Sequence, residues 1–174
     1  MNRISLFLIL ASFGVLLNGC GKDTNKKFTL RLDTNFDVPA GLNVLDAHYF
    51  IIRGLLTNYS SIINKNTIPA GAQIRLEPER ASLEDLFNQT DLDFIDKISV
   101  RIFTNDNPTD KPECFYLENI PLNVDNYMDL FPTSFDAKPF LERPEINVEV
   151  KITLKRNSGS QSNLHLTLDF KGNY

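Results

Sequence analysis

One stretch of the chain, from residue 146 to 154, alternates apolar and polar residues and limits the fold more than any other feature. The apolar positions are Ile146, Val148, Val150, Ile152 and Leu154, and between them stand Asn147, Glu149, Lys151 and Thr153. A period of two places all the apolar side chains on one face of a β-strand. Half-polar strands of this kind are typical of antiparallel sheets with one buried and one solvated face.

Shorter alternating runs predict more strands, which gives seven at 27–33, 47–54, 72–77, 97–104, 114–119, 145–155 and 162–171. The polar link at 156–162 (RNSGSQS) predicts that the last two strands form an antiparallel hairpin. Seven short strands in about 150 residues predict an all-β fold, a two-sheet antiparallel β-sandwich of the immunoglobulin or transthyretin type. An open barrel is the alternative. Residues 82–88 (SLEDLFN) predict one short helix, because Ser82 is a suitable cap and acids follow in the first turn.

The amino-terminal segment has the pattern of a secretory signal. Arg3 precedes an almost wholly apolar run from residue 4 to 17. As a helix, about fourteen residues span roughly 21 Å, whereas a bilayer core of ~30 Å needs about twenty residues. The run is therefore too short to cross a membrane comfortably, and it matches the apolar region of a signal peptide.

The apolar run ends at Leu17-Asn18-Gly19-Cys20. These four residues resemble the lipobox of bacterial lipoprotein precursors, in which a small residue precedes an obligatory cysteine. The resemblance implies a diacylglyceryl thioether on Cys20 and an acyl chain such as palmitate on the new amino terminus. It also implies a lipid-anchored protein of the Gram-negative cell envelope, in the outer membrane because residue 21 is Gly and not Asp. An ordinary secretory signal cleaved nearby is the alternative.

The predicted domain organisation has three parts: a lipoprotein signal peptide at 1–19, a lipidated tether at 20–27 and a β-sandwich domain at 28–174. The tether is polar and without period, and its seven residues after Cys20 reach at most about 25 Å. The formal net charge is −4, and removal of 1–19 takes away Arg3 and no acid. The sequence contains no cluster of five or six Lys and Arg residues, which argues against nucleic acid as a partner.

Residues that could perform chemistry are few. The sequence lacks the HExxH, GxSxG, P-loop and GxGxxG motifs. His48 and His165 lie in separate predicted strands, whereas a zinc site needs three or four ligands. With Cys20 lipidated, Cys114 has no disulfide partner and is expected to be a buried thiol. We therefore expect no enzymatic activity, no cofactor and no transition-metal site.

Two acidic stretches leave one metal question open. One contains Asp91, Asp93 and Asp96, and the other contains Asp106 and Asp110. Calcium takes several oxygen ligands, which loops at one end of a sandwich can supply. Turn chemistry explains the second stretch equally well, because Asp, Asn and Pro are turn formers.

Two predicted connections, 55–71 and 124–144, are longer than sandwich turns need. Loops beyond about 12–15 residues are uncommon unless they are functional or disordered, and these are rich in apolar side chains. They supply the candidate binding residues Tyr59, Ile62, Ile63, Tyr127, Phe131, Phe135 and Phe140. The alternative is that these side chains cap an open end of the sandwich.

The function expected from these features is that of a non-enzymatic, membrane-anchored envelope lipoprotein. Its domain would be a binding or structural accessory module for another envelope protein or a surface ligand. One alternative is a fimbria-like or adhesin subunit that polymerises by strand exchange, and another is a small hydrolase with dispersed carboxylates. Sugar binding is also open, because Tyr49, Tyr59, Tyr116 and Tyr127 could stack on sugar rings, although the chain has no Trp.

Overall fold

The computed structural model of the chain describes residues 26–87 and 89–174. The predictions for the signal segment, for Cys20 and for most of the tether therefore lie outside the described residues. Within these residues the fold is all-β and antiparallel, which confirms the predicted class. The strands are β1 (Lys27–Val38), β2 (His48–Leu56), β3 (Arg75–Asp85), β4 (Ile95–Phe103), β5 (Glu113–Glu118), β6 (Tyr127–Pro132), β7 (Glu145–Leu154) and β8 (Ser162–Asn173).

Helical structure is confined to short connections. The described helices are α1 (Tyr59–Lys65) and α2 (Lys138–Leu141), and a single 3₁₀ turn covers Leu92–Phe94. Among the described residues, no helix has the length and apolar character needed to cross a membrane.

The strands are hydrogen-bonded in the order β1-β8-β3-β6-β5-β4-β7-β2. The weakest junction joins β5 to β6, which are paired only at Phe115 with Pro132 and at Tyr116 with Phe131. At the two margins of this order, Phe36 of β1 and Phe50 of β2 bring their rings to 5.3 Å. In this order the first strand, β1, pairs with the last strand, β8. In an immunoglobulin domain the first strand pairs with the second.

The antiparallel pairing sorts the connections to two ends of the strands. Lys27 lies opposite Asn173, whereas Val38 lies opposite Ser162. We call the end with Lys27 the near end; it also carries the connections 57–74, 104–112 and 133–144. We call the other end the far end; it carries the connections 39–47, 86–94, 119–126 and 155–161.

The alternation on β7 is confirmed by burial. Ile146, Val148, Val150 and Ile152 are at most 1% exposed and Leu154 is 5% exposed. They belong to one hydrophobic core that also includes Phe115 of β5 and Phe170 of β8, whose rings meet edge to face at 5.6 Å. On the opposite face of β7, Glu149 is also buried, because Lys111 and Arg101 cover its carboxylate at 2.5 Å and 3.7 Å.

The predicted helix at 82–88 is wrong, because Ser82–Asp85 continue β3. Leu76 and Pro78 point inward at even positions, but after a bulge between Pro78 and Arg80 the inward positions are Ala81, Leu83 and Asp85. A bulge adds one residue and so reverses the alternation. The sequence then no longer shows one continuous period, and the second half of the strand resembles a capped helical turn.

Two other expectations are also corrected. The predicted count of seven strands becomes eight within the described residues, because β6 lies inside the supposed long loop 124–144. The predicted hairpin is wrong, since β7 pairs with β4 and β2, whereas β8 pairs with β1 and β3. The polar link between β7 and β8 therefore carries the chain from one part of the strand order to another. Strand exchange through β8 would require both of its ladders to open.

Candidate binding surface at the far end

Five of the seven predicted binding residues lie at the near end and pack against the core. They are Tyr59, Ile62, Ile63, Phe135 and Phe140, and all are half-buried. The rings of Phe135 and Phe140 meet edge to face at 6.4 Å. Burial, reinforced by two nearby carboxylates, raises the pKa of the Tyr59 hydroxyl above its usual value. These side chains close the near end, and any role in binding stays a prediction.

The other two predicted residues lie apart from these on β6. Tyr127 is 40% exposed, and its hydroxyl donates to Asp129 at 2.7 Å and accepts from Arg80 at 3.0 Å. Phe131 is 60% exposed and lies 6.2 Å from the ring of Tyr116. The structure therefore does not bring the seven predicted residues together into one surface.

Five exposed apolar side chains lie at the far end, on three of its connections. They are Val44, Leu45, Leu86, Phe87 and Leu122, which we call the apolar tip. Leu45 is 91% exposed, Leu122 74% and Phe87 64%. Exposed apolar side chains at one end of a protein are candidates for contact with another protein.

The connection 86–94 is held in place by a buried carboxylate. Asp85, only 3% exposed, accepts hydrogen bonds from the backbone N–H groups of Gln89 at 2.7 Å and Thr90 at 3.1 Å. Leu86 N–H donates to the carbonyl of Asn163 at 3.0 Å, so the chain that carries the exposed side chains is tied to β8. An ionised acceptor with two backbone donors makes a strong local constraint.

The connection 39–47 is fixed by a buried serine from another connection. The Ser158 hydroxyl donates to the carbonyl of Pro39 at 2.8 Å and accepts from Leu42 N–H at 3.0 Å. Further along, the side-chain oxygen of Asn43 accepts from the N–H groups of Leu45 and Asp46. In this turn the backbone N–H of Leu45 is hydrogen-bonded, whereas its side chain is exposed to solvent.

The charges around the apolar tip are mainly negative. Within the far-end connections the acids are Asp46, Asp91, Asp93 and Asp125, and the bases are Lys155 and Arg156. Arg156 is already paired with Asp93, and the Lys155 ammonium is buried. The surface around the exposed apolar side chains therefore offers carboxylates rather than free cations.

In residues 26–87 and 89–174, the cysteine and the two histidines each have separate local surroundings. Cys114 is completely buried, and this burial raises the pKa of its thiol, so the nucleophilic thiolate is disfavoured. His48 bonds to the carbonyl of Asn43 at 2.8 Å, and His165 bonds to the side chain of Asn35 at 2.6 Å. Each histidine thus has a local partner.

Metal ligands are not clustered in the part of the chain that the structure describes. There, no three His, Cys, Asp or Glu side chains lie close enough to hold a metal ion. In the two acidic stretches, Asp93 forms an ion pair with Arg156 and Asp106 forms one with Arg143. These pairings account for one carboxylate in each stretch that had left calcium open.

Replacement of Asp85 by alanine tests how the far end is held. We expect a loss of about 1.5–3 kcal/mol in the free energy of unfolding, because two backbone donors lose a charged acceptor. Asp85→Asn retains an oxygen acceptor and should lose less, whereas Asp46→Ala, at an exposed position, should change stability by about 0.5 kcal/mol or less. Urea denaturation gives the stability, and hydrogen exchange at Gln89 and Thr90 reports the local effect. An alanine variant with wild-type exchange at these two amides would contradict this assignment.

Comparison with known proteins adds little to this picture. No family model matches the chain, and no curated protein matches it significantly. Among solved structures, similarity is found to the "Cyanophage Pam1 capsid asymmetric unit", at 7% identity over 87% of this chain and 88% of that one, with a TM-score of 0.35. The structure of Tomato Aspermy Virus covers 94% of this chain and 93% of its own at 11% identity, with a TM-score of 0.35. The infectious bursal disease virus Gt strain structure gives 10% identity and a TM-score of 0.37, and only 33% of that chain is covered.

TM-scores this low carry no argument about function. Within the described residues, the protein is all-β and antiparallel, with exposed apolar side chains at one end of its strands.

Proposed function

We propose that this chain is a non-enzymatic envelope lipoprotein, anchored through lipid on Cys20, whose domain binds another envelope protein through the apolar tip. The lipobox-like residues 17–20 support the anchor. The observation that carries the binding role is the set of exposed apolar side chains on three connections at the end opposite Lys27.

The geometry favours an orientation in which the apolar tip faces away from the anchoring membrane. The chain enters β1 at Lys27 on the near end, and β1 has twelve residues, which span about 40 Å at ~3.3 Å per residue. The tether before it reaches at most about 25 Å. Lipid on Cys20 would hold the near end at the membrane and present the far end to a partner.

The chemistry of the surface suggests the chemistry of the partner. Large apolar side chains such as Leu45, Phe87 and Leu122 are suited to pockets on another protein, where apolar burial drives association. The carboxylates of Asp46, Asp91 and Asp125 lie in the same connections. A partner that presents apolar pockets bordered by Lys or Arg fits this combination, whereas an anionic lipid surface would be repelled.

We also propose that the strands form two packed sheets, β1-β8-β3-β6 and β5-β4-β7-β2, in the manner of a double-sheet jelly roll. The narrow junction between β5 and β6 supports a division there. Aromatic contacts between strands of the two groups, Phe115 with Phe170 and Phe36 with Phe50, also support it. This proposal retains the two-sheet arrangement expected from the sequence.

A pull-down from detergent-solubilised membranes of the source bacterium tests the binding role. The tip variant combines Leu45→Asp, Phe87→Asp and Leu122→Asp, all at exposed positions, so it should fold normally. We expect the wild type to recover a specific partner and the tip variant to recover about tenfold less or worse, because anchors of this kind carry most of the binding energy.

The matched control carries Ile51→Asp and Leu56→Asp, which are exposed apolar positions on β2 outside the apolar tip. It should recover the partner as the wild type does. Cys20→Ser separates anchoring from binding, because it should release the protein from membranes and leave binding in detergent unchanged. Equal recovery by the wild type and the tip variant would exclude the far end as the binding surface.

A further inference from the structure

A groove crosses the outward face of β5, β4 and β7. It encloses about 250 Å³, and its walls include Lys97, Ser99, Tyr116, Lys151 and Thr153. The volume lies just below the usual range for small-molecule sites, about 300–1,000 Å³, so the groove suits a small ligand. We call it the sheet-face groove.

Strand pairing places aromatic rings at both ends of one row across this face. Tyr49 lies opposite Lys151, Lys151 opposite Ser99, Ser99 opposite Tyr116, and Tyr116 opposite Phe131. At ~4.8 Å between strands, these four steps span roughly 19 Å. Tyr49 is 54% exposed and Phe131 60%, so their ring faces are available to a ligand.

Most polar groups around the sheet-face groove already have partners. The Ser99 hydroxyl donates to Glu113, the Lys97 ammonium lies 3.7 Å from Glu118, and Arg101 lies 3.7 Å from Glu149. These pairs hold the walls in a fixed arrangement. A site whose polar groups are held in place before binding loses less entropy when the ligand arrives.

Two polar groups of the groove remain without partners. The half-buried Lys151 forms no ion pair with a carboxylate of the described residues, and its ammonium lies over the Tyr49 ring, 5.7 Å from the ring centre. The hydroxyl oxygen of Thr153, two residues further along β7, is buried and has no hydrogen-bond partner. A buried polar atom without a partner is uncommon in native proteins and calls for an explanation.

We propose that the sheet-face groove binds an acidic sugar, meaning a pyranose ring that bears a carboxylate or phosphate group. A pyranose has an apolar C–H face that fits against an exposed ring such as that of Tyr116. Its hydroxyls both donate and accept hydrogen bonds, so they match the polar walls of the groove. Its anion pairs with Lys151, for which a flexible ammonium is suited. Tyr116 and Lys151 are two strand steps apart, roughly 10 Å, a span that suits linked rings.

The charge balance in the groove favours an anionic ligand over a neutral one. Three cations, Lys97, Arg101 and Lys151, line it; Lys97 lies beside Glu118 and Arg101 beside Glu149, which leaves Lys151 as the cation without a carboxylate partner. The whole chain has a formal charge of −4, so this excess of positive charge is local. The apolar tip shows the reverse balance, and the two surfaces are therefore suited to different ligands.

Isothermal titration calorimetry on the full-length chain in detergent tests the proposal with four probes. Trigalacturonate supplies carboxylated rings, glucose 6-phosphate supplies a phosphorylated ring, methyl-esterified trigalacturonate is the neutral comparison, and inorganic phosphate is an anion without a ring. We expect at least one charged sugar to bind saturably, about tenfold tighter than both the neutral sugar and phosphate alone. The better charged sugar identifies the anionic group.

Variants assign this binding to the groove. Lys151→Met should lower the affinity for the charged sugar by about tenfold, because it removes the positive charge. The affinity for the neutral sugar should stay nearly unchanged. Tyr116→Ala should lower the affinity for both sugars. Tyr116→Phe should bind both with wild-type affinity, because the ring is kept. The matched controls are Lys171→Met and Tyr127→Ala, at outward positions on β8 and β6, and they should bind as the wild type does.

Three results would overturn the proposal. They are the absence of saturable binding by both charged sugars, equal affinity for the neutral sugar, and equal affinity for inorganic phosphate. Equal losses in the Lys171→Met or Tyr127→Ala controls would likewise remove the assignment to the groove. None of these outcomes bears on the apolar tip, since the tip variant leaves every groove residue in place.

Discussion

Replacing Phe115 by alanine is expected to lower the free energy of unfolding by about 3–5 kcal/mol. Phe115 is completely buried on β5, and its ring packs edge to face against Phe170 of β8 at 5.6 Å. Beside it, β5 and β6 share only a short stretch of paired backbone. The side-chain contact links β5 to β8 through the core, and its loss leaves a cavity that the surrounding strands fill only partly.

Urea denaturation of the Phe115→Ala and Phe131→Ala variants provides the measurement and its matched control. Phe131, also a phenylalanine on a strand next to this junction, is 60% exposed and should cost about 1 kcal/mol or less. A double-mutant cycle with Phe170→Ala should give a coupling of about 0.5–1.5 kcal/mol, the usual range for an aromatic pair. If Phe115→Ala cost no more than Phe131→Ala, the packing of Phe115 against Phe170 would not be what holds β5 against the core.

The strands that could be predicted from the sequence are those in which one period runs without interruption. The expectation of a strand at 145–155 matches Glu145–Leu154, because every second residue from Ile146 is apolar and buried. The expectation at 162–171 likewise matches Ser162–Asn173. In both strands the local pattern and the buried face agree, so no information from distant residues is needed.

Predictions failed where the structure depends on distant pairing or on an irregularity. The bulge between Pro78 and Arg80 reverses the inward positions of β3, so Leu83 belongs to the strand although the local pattern suggests a helix. The partners of β7 and β8 could not be inferred either, because both strands alternate well and any antiparallel neighbour satisfies the pattern. Register and order are set by the whole core, not by a local signal.

The apolar tip could not be predicted for a related reason. Leu45, Phe87 and Leu122 are scattered over the sequence, and a leucine in a connection looks the same whether it points inward or outward. Phe135 and Phe140, which are predicted from the sequence as binding residues, pack against the core instead. The topology places alternate connections at the same end of the strands, and so it shows which exposed residues lie at that end. The same holds for Tyr49 and Tyr116, which pairing places in one row.

Gly172 on β8 is the position where the smallest added group should have a large effect. A Cβ built there would lie 2.2 Å from ring atoms of Phe28, which is the residue opposite Gly172 on β1 and is 6% exposed. The ring of Phe28 covers the glycine and also contacts Tyr174 at 6.2 Å. Gly172→Ala must displace this ring, and we expect a loss of about 1–3 kcal/mol in the free energy of unfolding, the usual cost of overpacking.

Thermal or urea denaturation of matched variants separates this clash from a general effect of removing a glycine. Gly159→Ala is the control, because no atom lies within 4 Å of its added methyl group and its backbone does not require glycine. It should change stability by about 0.5 kcal/mol or less. In a Phe28→Leu background the ring is absent, so Gly172→Ala should lower the free energy of unfolding clearly less than it does in the wild type. The two substitutions together should therefore cost less than the sum of their separate costs. An equal cost in both backgrounds would mean that the ring of Phe28 is not the reason for glycine at position 172.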